Sequence, residues 1–253
     1  MSSFGYNILG FGSNTTAGGI GVDYLVIAGG GSGGAPNGGG GGAGGMRFSA
    51  YGPSPLNSGV QLTIQPGTTY AVVVGGGGPP QSYPSPQSQD RGGTSSFNAP
   101  GTEGVDAISS TGGGTDSPAS KRPGGSGSGS VGWCGVPGGD GNTPPTSPPQ
   151  GNPGGIGQGG GSAGSSGGGG AGGGGGGTGG AGQANTGGGG GGGGFPSPAS
   201  GAGGSGRVEI RICACNAPLI SVTPGSNSLV TVPSPEGGGK VARFLVSGNL
   251  VVA

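Results

Sequence analysis

The chain has 253 residues, of which 79 are glycine and 16 are charged, eight of each sign, with no histidine. Leu, Ile, Val and Phe together number 40, below the level at which an ordinary core offsets the entropy of ordering a chain. Zero net charge gives no basic field for nucleic acid, no apolar run is long enough to cross a bilayer, and without histidine no Ser-His or Cys-His nucleophile can form.

At the N-terminus, MSSF lacks the positive region and apolar core of a secretory signal. Phe4, Tyr6 and Ile8 alternate, and Leu9 and Phe11 follow among small residues. Such a segment suits addition to another protein's sheet edge; the other reading folds it back onto its own β layer. We take residues 1–19 as an attachment arm. VDYLVIA at 22–28 is a strand stopped by glycines, and MRFSA at 46–50 is a weaker second strand. VQLTI at 60–64 alternates, Pro66-Gly67 supplies a turn and TYAVVV at 69–74 runs back, so a hairpin is expected across 60–74.

Residues 75–206 hold few large hydrophobes and most of the glycine. A flexible linker is the ordinary reading of such a tract, but strands on both sides of it must meet. From Gly161 to Gly182 every third residue is glycine. Polyproline II-type helices have three residues per turn and no internal hydrogen bonds, so their backbone groups point outward and can pair with neighbouring helices. Only glycine lets backbones come that close. Collagen is excluded, because 154–194 contains no proline and no Gly-X-Y repeat continues through the tract as a whole.

Beyond the tract, RVEIRIC at 207–213 alternates charge and hydrophobe, placing Val208, Ile210 and Ile212 toward a core. LISV at 219–222, LVTV at 229–232, VARFLV at 241–246 and LVV at 250–252 complete the strands. No segment has helical periodicity. The fold expected is all-β plus polyglycine II. Strands from both chain ends form a β-sandwich-like unit, packed with a bundle of polyglycine II helices.

The acids are scattered, and nothing nearby supports Glu103 and Asp106 as a carboxylate pair. Cys134, Cys213 and Cys215 are too few for a disulfide framework or a four-ligand zinc site, and Cys213 and Cys215 are read as small buried hydrophobes. No cofactor and no metal is called for, and an enzyme is not expected. Interruptions of the glycine tract carry its large side chains, notably Tyr83, Trp133 and Phe195. These either cap the glycine bundle or serve as rigid aromatic anchors for a receptor or another subunit.

VDYLVIAGGGSGGAPNGGGGGAGGMRFSA at 22–50, LTIQPGTTYAVVVGGGG at 62–78, GGTSSFNA at 92–99 and GGSGRVEIRI at 203–212 appear in an order that resembles the glycine-rich domain of bacteriophage tail-fibre and virion proteins. The chain is also similar to phage distal adhesins built on a polyglycine II lattice. The resemblance implies a glycine-rich virion domain at 20–212, with strands at 22–28, 46–50, 60–74 and 207–213 around glycine segments in 75–206. One departure is the strand ARFLVSGNLVV at 242–252, which in the family precedes the first strand. Either the chain is circularly permuted or residues 213–253 complete a neighbouring subunit. That strand and the sparse core imply a homo-oligomer, a trimer by preference. The function implied is a structural virion protein, a short tail-fibre or adhesin-like appendage exposed on the particle. Its partners would be other virion proteins and a host surface receptor, with no nucleic acid and no membrane insertion. The alternatives are a capsid-associated fibre or decoration protein, and an ice-binding polyglycine II protein.

Overall fold

The computed structural model describes residues 19–35, 38–49, 59–82, 91–98, 107–116, 123–130, 136–157, 179–193, 199–214, 220–233 and 238–253. Among them are two antiparallel sheets and no helix. The first sheet runs β2 (Met46–Phe48), β1 (Ile20–Ile27), β7 (Arg207–Ile212), β10 (Lys240–Phe244), β9 (Ser228–Thr231), with β3 (Leu62–Ile64) also paired to β1. The second runs β6 (Ile108–Ser110), β5 (Ser95–Phe97), β4 (Thr69–Val73), β11 (Gly248–Val252), β8 (Ile220–Thr223).

Alternation decides which side of each strand is covered. Val22, Tyr24 and Val26 of β1 and Val208, Ile210 and Ile212 of β7 are buried, while Arg207, Glu209 and Arg211 face outward as expected. Tyr70, Val72, Phe97 and Leu250 of the second sheet join the same apolar cluster. The Tyr70 and Phe97 rings stack with centroids 5.4 Å apart. Each large side chain removed from water there contributes roughly 1.5–3 kcal/mol. Asn227 ties the two sheets at a corner. Its Oδ1 accepts from the N–H groups of Leu245 at 3.1 Å and Val246 at 3.3 Å, and its Nδ2 donates to the Thr223 carbonyl at 3.2 Å.

Three expectations are corrected. Residues 60–74 are not a hairpin: β3 pairs with β1 in one sheet, and β4 pairs with β5 and β11 in the other. The turn at Pro66-Gly67, where Gly67 has φ 72°, carries the chain between sheets, and Gln65 N–H donates to the Tyr70 hydroxyl at 2.6 Å. Both arrangements bury the same alternate residues, so the pattern alone cannot separate them. Next, β5 and β6 lie inside 75–206, where no strand was expected; each is three residues long with one large apolar side chain. Finally, Cys213 is exposed, because it continues the alternation of β7 one step past inward-facing Ile212. Strands β10 and β11 complete the two sheets of their own chain, at positions next to β7 and β4.

Glycine segments rise from one end of both sheets. β1 runs directly into 28–34, β4 into 75–78, and 199–206 runs down into β7. The segment 28–34 lies inside. Ala28, Gly31 and Gly34 donate to the carbonyls of Gly45, Gly42 and Gly39, Gly30 and Gly33 to Gly204 and Gly201, and Gly29 to Gly93. In return, its carbonyls accept from Gly78, Gly113, Gly190 and Gly193. Six neighbouring segments therefore surround it. Donors three residues apart address the same neighbour, and the rule repeats elsewhere. Gly41 and Gly44 reach Gly190 and Gly187, Gly201 and Gly204 reach Gly191 and Gly188, and Gly203 and Gly206 reach Gly78 and Gly75.

Glycine is required where segments meet. A Cβ on Gly77 would overlap the carbonyl of Gly203, whereas one on Gly76 would meet open space. We expect Gly77→Ala to destabilise by about 1–3 kcal/mol or more through forced separation of two backbones. Gly76→Ala is expected to be neutral, or stabilising by up to about 1 kcal/mol. Denaturant unfolding of the two variants checks the difference; equal effects would contradict close backbone contact.

Candidate functional site

The glycine segments define an end of the molecule remote from the sheets. Gly193 N–H donates to Gly34, Gly34 N–H to Gly39, and Gly39 N–H to the Oδ2 of Asp116 at 3.1 Å. Gly129 donates to Gly40, Ser130 to Gly155, Gly157 to Val136, and Gly179 to Gly192. Ser200 donates to Gln81, and Ser82 bridges Ala199. These contacts gather the ends of the segments that climb from the sheets. Asp116 is buried there, beside Ser32 and Thr115, whose hydroxyls lie 3.3 Å apart.

The described residues on either side of 131–135, 158–178 and 194–198 lie at this gathered end, as does Ser82. Trp133 and Phe195 belong to these stretches and Tyr83 follows Ser82, but all three lie outside the described residues. The arm residues Phe4, Tyr6, Ile8, Leu9 and Phe11 also lie outside the described residues, as do Cys134, Cys215, Glu103 and Asp106. Connectivity nevertheless fixes where the chain enters and leaves. Ile20 opens β1, which runs toward the glycine segments, so the preceding residue lies at the opposite end of the sheets. β11 is antiparallel to β4, which also runs toward the segments, so Ala253 lies at that same opposite end. The described residues at that gathered end and the described chain ends are thus at opposite poles.

A second ordered feature was not legible as a site. Residues 142–149, NTPPTSPP, fold around Asn142, whose Oδ1 accepts from Thr146 N at 3.0 Å, Thr146 Oγ1 at 2.9 Å and Gln150 N at 3.1 Å. The φ of 51° at Asn142 is one that asparagine tolerates better than most side chains. Gln150 then locks the loop to both sheets. Its Oε1 accepts from Thr111 N at 2.8 Å, its Nε2 donates to the Pro144 carbonyl at 3.0 Å, and its carbonyl accepts from Met46 N at 2.7 Å. The sequence signal was an Asn opening a proline-rich run, a recognised turn initiator.

Among the described residues there is no group of three or more His, Cys, Asp or Glu placed to hold a metal ion. No helix of the described part is long and apolar enough to cross a membrane. The profile of a family described as a glycine-rich domain matches residues 11–212. No curated protein and no solved structure matches the chain.

We expect Asn142→Gly, which keeps the backbone freedom and removes the side-chain acceptor, to release the loop. Amide exchange at Thr146 and Gln150 should speed up about tenfold or more, since each lost bond contributes about 0.5–1.5 kcal/mol. Unchanged protection, measured by NMR, would mean the loop is held by something else.

Proposed function

The chain belongs to the glycine-rich domain family, and from that premise we propose that it is a non-enzymatic bacteriophage virion protein, a short tail-fibre or adhesin-like appendage. The observation that carries the reading is polarity. The described chain ends lie at one pole, and the residues on either side of 131–135, 158–178 and 194–198 lie at the other. An appendage needs that division: one pole for anchorage to the particle, one for contact with a host surface. The arm at 1–19 is proposed to dock on the virion protein that carries this one. Tyr83, Trp133 and Phe195 are proposed as contacts at the far pole, where rigid aromatic side chains make good anchors.

We further propose that the glycine segments are polyglycine II helices in a hexagonal array. The three-residue recurrence of donor direction and the six neighbours of 28–34 support this. The two sheets, sharing one apolar cluster, are proposed to form a β-sandwich that holds the base of the array. The protein is proposed to act as a trimer exposed on the particle. Sedimentation equilibrium checks the assembly state: a single folded monomer at micromolar concentration would remove the trimer.

Two variants separate the poles. Deleting residues 2–11 should leave the unfolding transition unchanged and abolish incorporation into particles. Replacing Tyr83, Trp133 and Phe195 together by Ala should leave incorporation unchanged and cut adsorption to host cells at least tenfold. Normal adsorption by particles that carry the triple variant would move receptor contact elsewhere. Normal incorporation of the deleted form would end the attachment reading.

A further inference from the structure

On one side the two sheets end in β9 and β8, the last strands of the first and second sheet. These strands touch, and residues 224–227 join them. The apolar cluster is incompletely covered there. Leu229 of β9 and Val222 of β8 pack against it but stay partly exposed, and Val230, on the outward side of β9, is 37% exposed. On the opposite side Ile20, Leu62, Ile64 and Ile108 are buried.

Backbone as well as side chain is open on this side. Val232 N–H donates to the Gly239 carbonyl at 3.0 Å, and the register pairs Thr231 with Lys240, Val230 with Val241 and Leu229 with Ala242. Antiparallel pairs alternate between hydrogen-bonded and non-hydrogen-bonded, so Ser228, Val230 and Val232 turn their N–H and C=O groups toward β10. Leu229 and Thr231 turn theirs away, and among the described residues no strand pairs with β9 on that side. Natural edge strands are commonly guarded by a charge or by a proline within the strand. β9 is short but has neither guard: residues 220–233 hold no charged side chain, and Pro224 and Pro233 lie outside the strands they border.

The outward-turned groups are self-complementary. When a second β9 runs antiparallel with Val230 opposite Val230, Leu229 of each copy stands opposite Thr231 of the other. Both pairs then exchange N–H to C=O bonds in each direction. Leu229 extends the apolar cluster of its own copy alongside Thr231 of the second. The two Val230 side chains meet on the outward face as a non-hydrogen-bonded pair, the closer of the two kinds. At a two-fold axis every group meets its own counterpart, so a charged edge would oppose itself, and this edge carries no charge. We infer that β9 is a contact surface for a second copy of this chain, paired antiparallel about a two-fold axis between the two Val230 residues.

Sedimentation equilibrium of the full chain, from micromolar to millimolar concentration, tests this. A two-fold contact makes the number of chains even: two if β9 acts alone, six if it joins two of the proposed trimers. Val230→Lys and Val230→Glu should each weaken the association by about tenfold or more, because like charges then stand opposite each other. An equimolar mixture of the two variants should restore it. Thr231→Pro removes only an outward-turned N–H and should weaken the association as much, with the unfolding midpoint unchanged. The charge variants keep the test decisive if the proline disturbs folding. A folded monomer across the whole range overturns the inference together with the trimer. A trimer that forms nothing larger overturns the inference and leaves the trimer in place. An even assembly that survives all three variants also overturns it.

Discussion

The glycine-rich half of the protein depends on one contact: a backbone N–H reaching the carbonyl of a neighbouring segment across a gap that a Cβ would close. Each such bond contributes about 0.5–1.5 kcal/mol net, while fixing one residue's backbone costs about 1–2 kcal/mol. Taken alone, an isolated segment therefore does not form. A segment such as 28–34 changes the balance because its donors and acceptors are shared among six neighbours, and tight backbone packing adds dispersion on every side. Order in this half is collective, and it is lost collectively.

The sheets supply what glycine cannot. Side chains such as Tyr24, Ile210, Phe97 and Phe244 specify which strand lies beside which, and that choice is then inherited by the glycine segments the strands run into. β1 delivers 28–34, β4 delivers 75–78, and 199–206 returns into β7. Asn227 reinforces this arrangement by binding the two corners where the C-terminal strands change sheets. A small apolar cluster thereby sets the registry of a much larger region that has almost no side chains of its own.

That division explains what was legible in the sequence. β1 and β7 announce themselves through alternation, since Val22, Tyr24 and Val26 or Val208, Ile210 and Ile212 can only share one covered face. The partners of β3 and β4 were not legible, because hairpin and sheet-to-sheet crossover bury identical residues. β5 and β6 were too short and too poor in hydrophobes to signal. That glycine segments would be ordered could be argued from the strands on both sides having to meet, but not which segment lies beside which: glycine carries no side chain to encode a partner. The acids on the outward face of the first sheet were passed over as scattered. Asp23 and Glu209 are 186 positions apart in the chain, and only the pairing of β1 with β7 makes them neighbours.

The recurrence of donor direction every third residue gives the chain something like a reading frame. In 28–34 the sequence of neighbours addressed is fixed by position modulo three, whatever residues stand there. Removing one or two residues from a segment would turn every later donor toward the wrong neighbour. Removing three would shorten the segment and leave every address intact. Length variation within the array should therefore be quantised in threes, while the stretches that join the segments, outside that frame, are free to change by any number.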